Sequence, residues 1–408
     1  MLRHLSKSNF GTFAWSKCTT FLAHLPTSYY ICITFLRTNK KCRVNNSHHT
    51  TRNFGTFTYS IDDMKRTLEQ LVRPNIWTLT PHGSTQCEHG GSEANIFLDA
   101  NENPYNKPLN RYPDPLQREL KEKLSQIKQV PAGNIFLSNG CDEAIDLVYR
   151  IFCEPKQDNV VAIEPTYGMY KVCADINNTT YKPVLLDECF QLSADKLLAA
   201  CDASTKVIWL CSPNNPTGND LRRDAIAEII QQFDGIVVLD EAYSDFSTQK
   251  SFRTELASYP NLIILNTMSL AWGCAGIRLG MAFASEEIVN LFNKVKQPYN
   301  ISSLTQEQAL KSLQGTFEVE KWVTTLLQER RRMVQAFAVL PQCVKVYPTA
   351  ANFFLAKMKD AQATYQYLLD KGIVVCDRCQ VASCHDCLRV TIGTKTENNE
   401  LLAALRQC

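Results

Sequence analysis

Residues 235–243 read GIVVLDEAY. An apolar run of Ile236, Val237, Val238 and Leu239 follows a glycine and passes directly into Asp240 and Glu241. A short continuous apolar run bounded by polar residues reads as a strand buried on both faces. The same form recurs at 159–165 (NVVAIEP), 206–213 (KVIWLCSP) and 261–269 (NLIILNTMS). Segments of helical period lie among these runs, at 116–128 (LQRELKEKLSQIK), 142–152 (DEAIDLVYRIF), 194–201 (ADKLLAAC) and 222–233 (RRDAIAEIIQQF). Fully apolar strands alternating with helices predict an α/β fold, a mainly parallel sheet covered on both faces.

Past about residue 306 the pattern changes. A long helical stretch at 320–340 precedes short strands at 344–349 (VKVYPT), 352–358 (NFFLAKM) and 388–394 (LRVTIGT), then a closing helix at 397–408. That order predicts a smaller α+β domain. The expected organisation is an N-terminal extension over 1–61, an arm of the small domain over 62–115, a large domain over 116–305 and a small domain over 306–408.

Composition narrows the class. Hydrophobic residues make up 45% and charged residues 21%, as in a soluble globular protein. Residues 1–61 hold eight Lys or Arg and no Asp or Glu, which leaves 35 basic against 41 acidic residues in the remainder. A body of about −6 gives no electrostatic basis for nucleic-acid binding. The longest apolar run near the start, YYICITFL at 29–36, is too short to span a bilayer, so no membrane partner is expected. Arg, Ser and Thr without acids suit an organellar transit peptide. The reading adopted is instead that residues 1–61 are disordered or non-native, that Met64 is the true start, and that the protein is cytoplasmic. The pentapeptide NFGTF occurs at both 9–13 and 53–57, without explanation. The 17 cysteines, scattered through apolar runs, read as reduced thiols rather than a disulfide framework.

The polar signatures sit just past the strands: SPNNPTG at 212–218, DEAY at 240–243 and TMS at 267–269. Open α/β sheets bind ligands at the carboxyl ends of their strands, so these segments converge on one site. No G-x-G-x-x-G after a strand, no Walker loop and no H-E-x-x-H occurs in the sequence.

At these residues the chain resembles the fold-type I, class II aminotransferases that use pyridoxal phosphate, and among them the histidinol-phosphate aminotransferase family. The matching segments run in order: LDANENPYN (98–106), NRYPDP (110–115), SNGCDEAIDLVYRIFCEP (138–155), PTYGMYKVCADINN (165–178), CSPNNPTGND (211–220), VVLDEAYSDF (237–246), AWGCAGIRLGMAFAS (271–285) and CLRVTIGT (387–394). They span essentially all of residues 68–408. The resemblance implies a seven-stranded-type sheet, a homodimer, small amino-acid and oxo-acid substrates, and a role in histidine biosynthesis: transfer of an amino group between glutamate and imidazole-acetol phosphate.

It also implies residue roles. Asp240 pairs with the cofactor's ring nitrogen, which keeps the ring an electron sink. Tyr243 and Asn215 bond its phenolic oxygen, and Tyr167 stacks on the ring. Gly140, Cys141 and Asp142 open a helix whose N-terminus suits the phosphate, with Asp142 as a candidate cap. Thr267, Ser269 and Arg278 add donors, and Tyr112 reaches the phosphate from a second subunit. Arg389 grips a substrate anion, preferably a carboxylate, as a bidentate fork, and Asn103 and His82 contact substrate.

Three positions depart from the family pattern. Residues 267–280 read TMSLAWGCAGIRLG, and the family's lysine, which forms the imine with the cofactor and shuttles a proton, is here Leu270. Leucine has no nitrogen and no titratable proton. Cys376 stands where the family has an arginine facing the substrate phosphate, and His82 where it has a tyrosine. The expectation is a cofactor held non-covalently and strongly impaired turnover. A non-catalytic pyridoxal-phosphate-binding pseudoenzyme and an aminotransferase sequence carrying errors remain open alternatives. Cys376, Cys379, Cys384 and Cys387 form two C-x-x-C pairs, a candidate structural zinc set whose alternative is free thiols. No active-site metal is expected.

Overall fold

The computed structural model describes residues 65–80 and 96–408. The expected extension over 1–61 and His82 lie outside them. In chain order the strands are β1 (Ile135–Asn139), β2 (Asn159–Glu164), β3 (Thr180–Leu185), β4 (Thr205–Cys211), β5 (Ile236–Asp240), β6 (Leu262–Thr267), β7 (Leu279–Phe283), β8 (Cys343–Val346), β9 (Phe353–Met358), β10 (Cys376–Asp377) and β11 (Cys387–Thr391).

The first seven form one sheet in the order β1-β7-β6-β5-β4-β2-β3. β3, β2, β4, β5 and β6 pair in parallel, while β7 runs antiparallel to both its neighbours. The mainly parallel α/β sheet expected from the sequence is therefore present, with one reversed strand.

Its central strands are apolar throughout because helices cover both faces. Along β5, Val237 and Leu239 enter one buried cluster while Ile236 and Val238 enter the other. β6 divides the same way, Leu262 and Ile264 against Ile263 and Leu265. Helices Arg118–Lys128 and Arg223–Gln232 feed the first cluster, and Cys141–Phe152 and Glu286–Val295 the second. Residues 65–80, expected within an arm of the small domain, here place Leu71, Val72 and Ile76 in that second cluster.

β8 to β11 form a four-stranded antiparallel sheet in the order β10-β11-β9-β8. Helices Thr316–Ala338, Ala361–Asp370 and Lys395–Leu405 pack on one face of it in a third cluster. Thr394 and Glu397 cap the last helix reciprocally, each side chain satisfying a backbone N–H of the other. Among the described residues no helix is long and apolar enough to cross a membrane.

The sheet's registers bring the functional strand ends together. Cys211 lies opposite Asp240, and Asp240 opposite Leu265. The reversed strand β7 passes so close to the start of helix Cys141–Phe152 that a Cβ on Gly280 would lie 2.5 Å from the Gly140 carbonyl carbon and 2.6 Å from Cys141 N. Those are backbone atoms, which cannot swing aside. Gly280→Ala is therefore expected to destabilise the fold by about 1–3 kcal/mol or more, as overpacking does. Urea unfolding measures it, and an unchanged midpoint would contradict this reading of the contact.

Candidate active site

Asp240 ends β5 with only 4% of its surface exposed. Tyr170 donates its hydroxyl to Oδ2 at 2.8 Å, and Ala242 N donates to Oδ1 at 2.9 Å. Both donors are neutral. Burial pushes the Asp240 carboxyl above the ordinary carboxylate range, and the two hydrogen bonds only partly oppose it. A buried carboxylate with no cationic partner among the described residues is suited to a protonated ring nitrogen, which would remove that penalty. Tyr170 is itself fixed by stacking on Trp209, ring centroids 4.8 Å apart.

Around Asp240 lies a cavity of about 170 Å³, lined by Cys141, Asp142, Tyr167, Cys211, Asn215, Asp240, Ala242, Tyr243, Thr267, Ser269, Leu270 and Arg278. Ten of the sequence-derived candidates are thus brought together. Asn215 Nδ2 donates to the Tyr243 hydroxyl at 3.3 Å, and Arg389 NH1 donates to Asn215 Oδ1 at 2.6 Å, which places Arg389 at the same site. Tyr243 also meets Phe353 edge to face, centroids 5.1 Å apart. Burial raises the Tyr243 phenol above its ordinary range, so it serves as a neutral hydrogen-bonding group.

The opposite wall is cationic and helical. Gly140 precedes helix Cys141–Phe152 with φ 76°, and no side chain caps that end. The capping role considered for Asp142 is therefore not what the structure shows. Its carboxylate instead accepts from the Tyr167 hydroxyl at 3.0 Å and lies 3.8 Å from Arg278 NH2. Gly140 is required twice over: its φ is left-handed, and a Cβ there would lie 2.6 Å from Arg278 NH2. Thr267 Oγ1 accepts from Ser269 N at 3.0 Å, setting the turn that carries both hydroxyls into the cavity. An uncapped helix N-terminus beside an arginine and two hydroxyls suits a phosphate.

Leu270 follows in that turn. It lines the cavity, half-buried against the core cluster on one side of the sheet. Among the described residues the lining includes no lysine. Those residues fit the ring nitrogen, phenolic oxygen, ring face and phosphate of pyridoxal phosphate, and supply no amine for its aldehyde.

Tyr112 and Asn103 are not part of this cavity. The Tyr112 ring stacks on Tyr299 with centroids 4.6 Å apart, and the exposed Asn103 accepts from Tyr105 N at 3.0 Å. The four cysteines at 376–387 separate: Cys384 and Cys387 are buried with the large-sheet cluster, while Cys379 packs on the small-sheet cluster. Among the described residues no three His, Cys, Asp or Glu side chains converge as a metal site needs. Sequence reading missed Tyr170, Cys211 and Ala242. Tyr170 follows Tyr167 by three residues in PTYGMY, a spacing that places both on one side of a helical turn.

The family model for aminotransferase class I and II matches residues 90–405. The chain belongs to the class I and II aminotransferases. The histidinol-phosphate aminotransferase of Bacteroides thetaiotaomicron is 59% identical over 342 residues, covering 84% of this chain and 99% of the relative. The histidinol-phosphate aminotransferase of Clostridium acetobutylicum shares the fold, with TM-score 0.68, 23% identity and coverage of 73% of this chain and 90% of that one. So does that of Sinorhizobium meliloti, solved in complex with pyridoxal 5'-phosphate, with TM-score 0.67, 22% identity and coverage of 73% and 82%.

In this aminotransferase the Asp240 carboxyl carries a testable pH signature. Its folded pKa lies above its unfolded value, so ionisation costs stability as pH rises through the unfolded value and up to the folded one. Without cofactor, Asp240→Asn is expected to be more stable than the native chain at neutral pH. The difference should vanish as pH falls below the ordinary carboxylate range. Chemical denaturation at several pH values measures this; a gain that grows on acidification would contradict the assignment.

Proposed function

We propose that this chain is a histidinol-phosphate aminotransferase by descent that holds pyridoxal phosphate or pyridoxamine phosphate non-covalently and turns substrate over poorly. The carrying observation is Leu270, in the cavity wall where the resemblance places the family's lysine, together with a lining that offers no lysine among the described residues. The reaction is amino transfer between glutamate and imidazole-acetol phosphate, giving 2-oxoglutarate and histidinol phosphate. Identity of 59% over nearly the full length of a relative bearing that name supports the substrate assignment.

When bound, the cofactor supplies an electron sink for the substrate's α-carbon. The chain's own residues do the rest. Asp240 holds the ring nitrogen's positive charge in a buried setting. Asn215 and Tyr243 form a hydrogen-bonded pair at the phenolic oxygen, and Arg389 is braced by Asn215. Tyr167, anchored through Asp142, would stack on the ring, and Arg278, 3.8 Å from Asp142, would hold the phosphate with the helix N-terminus. What is missing is a base that can remove and return the α-proton. A positioned base contributes about 10²–10⁴ in rate, and Leu270 presents only methyl groups. A homodimer, with Tyr112 contributed across the interface, and a cytoplasmic location complete the proposal.

Leu270→Lys is the direct functional test. Turnover of histidinol phosphate with 2-oxoglutarate is expected to rise at least about 10²–10⁴-fold over the native chain. Equal turnover of the two proteins would refute the assignment of impairment to this position.

A further inference from the structure

The loss of an arginine at position 376 leaves the substrate's distal anion with one fewer cation, and the β10–β11 hairpin carries another. Cys376 lies opposite Arg389 and Asp377 opposite Leu388. The ladder continues one residue further, with Arg378 N donating to Cys387 O at 3.0 Å. Residues two apart on a strand share a face, so Arg378, Cys376, Cys387 and Arg389 all lie on one side of the hairpin. The clusters identify that side. Leu388 and Val390 enter the small-sheet core, whereas Cys387 enters the large-sheet core and Arg389 reaches Asn215 in the active-site cavity.

Among the described residues neither guanidinium forms an ion pair with a carboxylate, and Arg378 Nε is buried without any hydrogen-bond acceptor. Burial and the charge of Arg378 both hold the Arg389 pKa below its ordinary value, so the two cations sense each other. Two like charges on one face with a buried donor left unmade are costly, unless an anion sits between them. A phosphate monoester carries about −1.5 to −2 charges at pH 7 and three acceptor oxygens, which matches two forked donors.

We propose that Arg378 joins Arg389 in a two-guanidinium site for the phosphate of a phosphate-monoester substrate, taking over the task that Cys376 cannot perform. The inference rests on the substrate class proposed above, and its test separates the two. The full chain, saturated with pyridoxal phosphate so that the cofactor's own phosphate position is filled, is titrated calorimetrically with inorganic phosphate, histidinol phosphate and histidinol.

Arg378→Gln is expected to weaken phosphate and histidinol phosphate about 10- to 100-fold, the effect of losing a hydrogen bond to a charged group. Binding of histidinol, which lacks the phosphate, should stay within about twofold, a split that general structural damage would not produce. Arg378→Lys, which keeps the charge and loses the fork, should fall between, and it decides the matter if Arg378→Gln loses the native circular dichroism spectrum. Undiminished phosphate binding in the variants, or no phosphate binding by the native chain, overturns the site. If phosphate binding needs Arg378 but histidinol phosphate binds no tighter than histidinol, the anion site stands and the substrate assignment falls.

Discussion

The site is organised around a carboxylate that the fold buries before anything is present to neutralise it. Asp240 sits at the end of a strand hidden on both faces, with Tyr170 and a backbone N–H as its carboxylate's partners among the described residues. An isolated buried charge is among the most expensive features a fold can carry, and it persists when a ligand bears the complementary charge. The neighbouring elements are arranged for that ligand. Trp209 fixes Tyr170 by stacking, Arg278 stands at the far wall beside an uncapped helix N-terminus, and Gly280 lets β7 approach that helix closely. Asp240 and Arg278 thus mark two ends of one cavity, an anionic and a cationic one, as the proposed binding of a cationic ring and a phosphate requires.

Leu270 is the discordant element within this cradle. It does not disturb the fold, because an apolar side chain at the edge of the core cluster packs without leaving an unpaired polar group. A lysine there would need its amine solvated or bonded, whereas leucine stabilises the same turn by contact alone. Position 270 is therefore one where a side chain without an amine leaves the geometry of the cavity intact. Cys376 shows the same logic in the small domain. A half-buried thiol there costs the hairpin little, and Arg378 and Arg389, without an ion pair among the described residues, remain on the shared face.

Much of this was legible in the sequence. The central strands could be read because two-sided burial makes them apolar from end to end, and the polar residues after β4, β5 and β6 converge as strand-end residues should. β3 escaped notice because it is an edge strand, largely exposed and carrying Pro183, so its composition is not that of a buried strand. β1 was not among the strands read, because its apolar run is only Ile135, Phe136 and Leu137. Tyr170 was missed because an aromatic on a helix is ordinarily core, and its bond to Asp240 exists only through tertiary packing. The C-x-x-C spacing suggested a metal site that the hairpin does not assemble, because Cys379, in the turn after β10, packs on the small-sheet core while Cys384 and Cys387 are buried in the large-sheet one. Spacing along a chain establishes neighbourhood on a strand or helix, not convergence.

The central claim, a cofactor cradle without a covalent anchor, is tested most directly by borohydride trapping. The native chain is incubated with pyridoxal phosphate, freed of unbound cofactor, reduced and digested, and any labelled lysine is located by mass spectrometry. The expected result is stoichiometric cofactor retained before reduction and no stoichiometric label on any lysine afterwards. A full label on a single lysine would show that another amine has replaced the missing one, and would contradict the account.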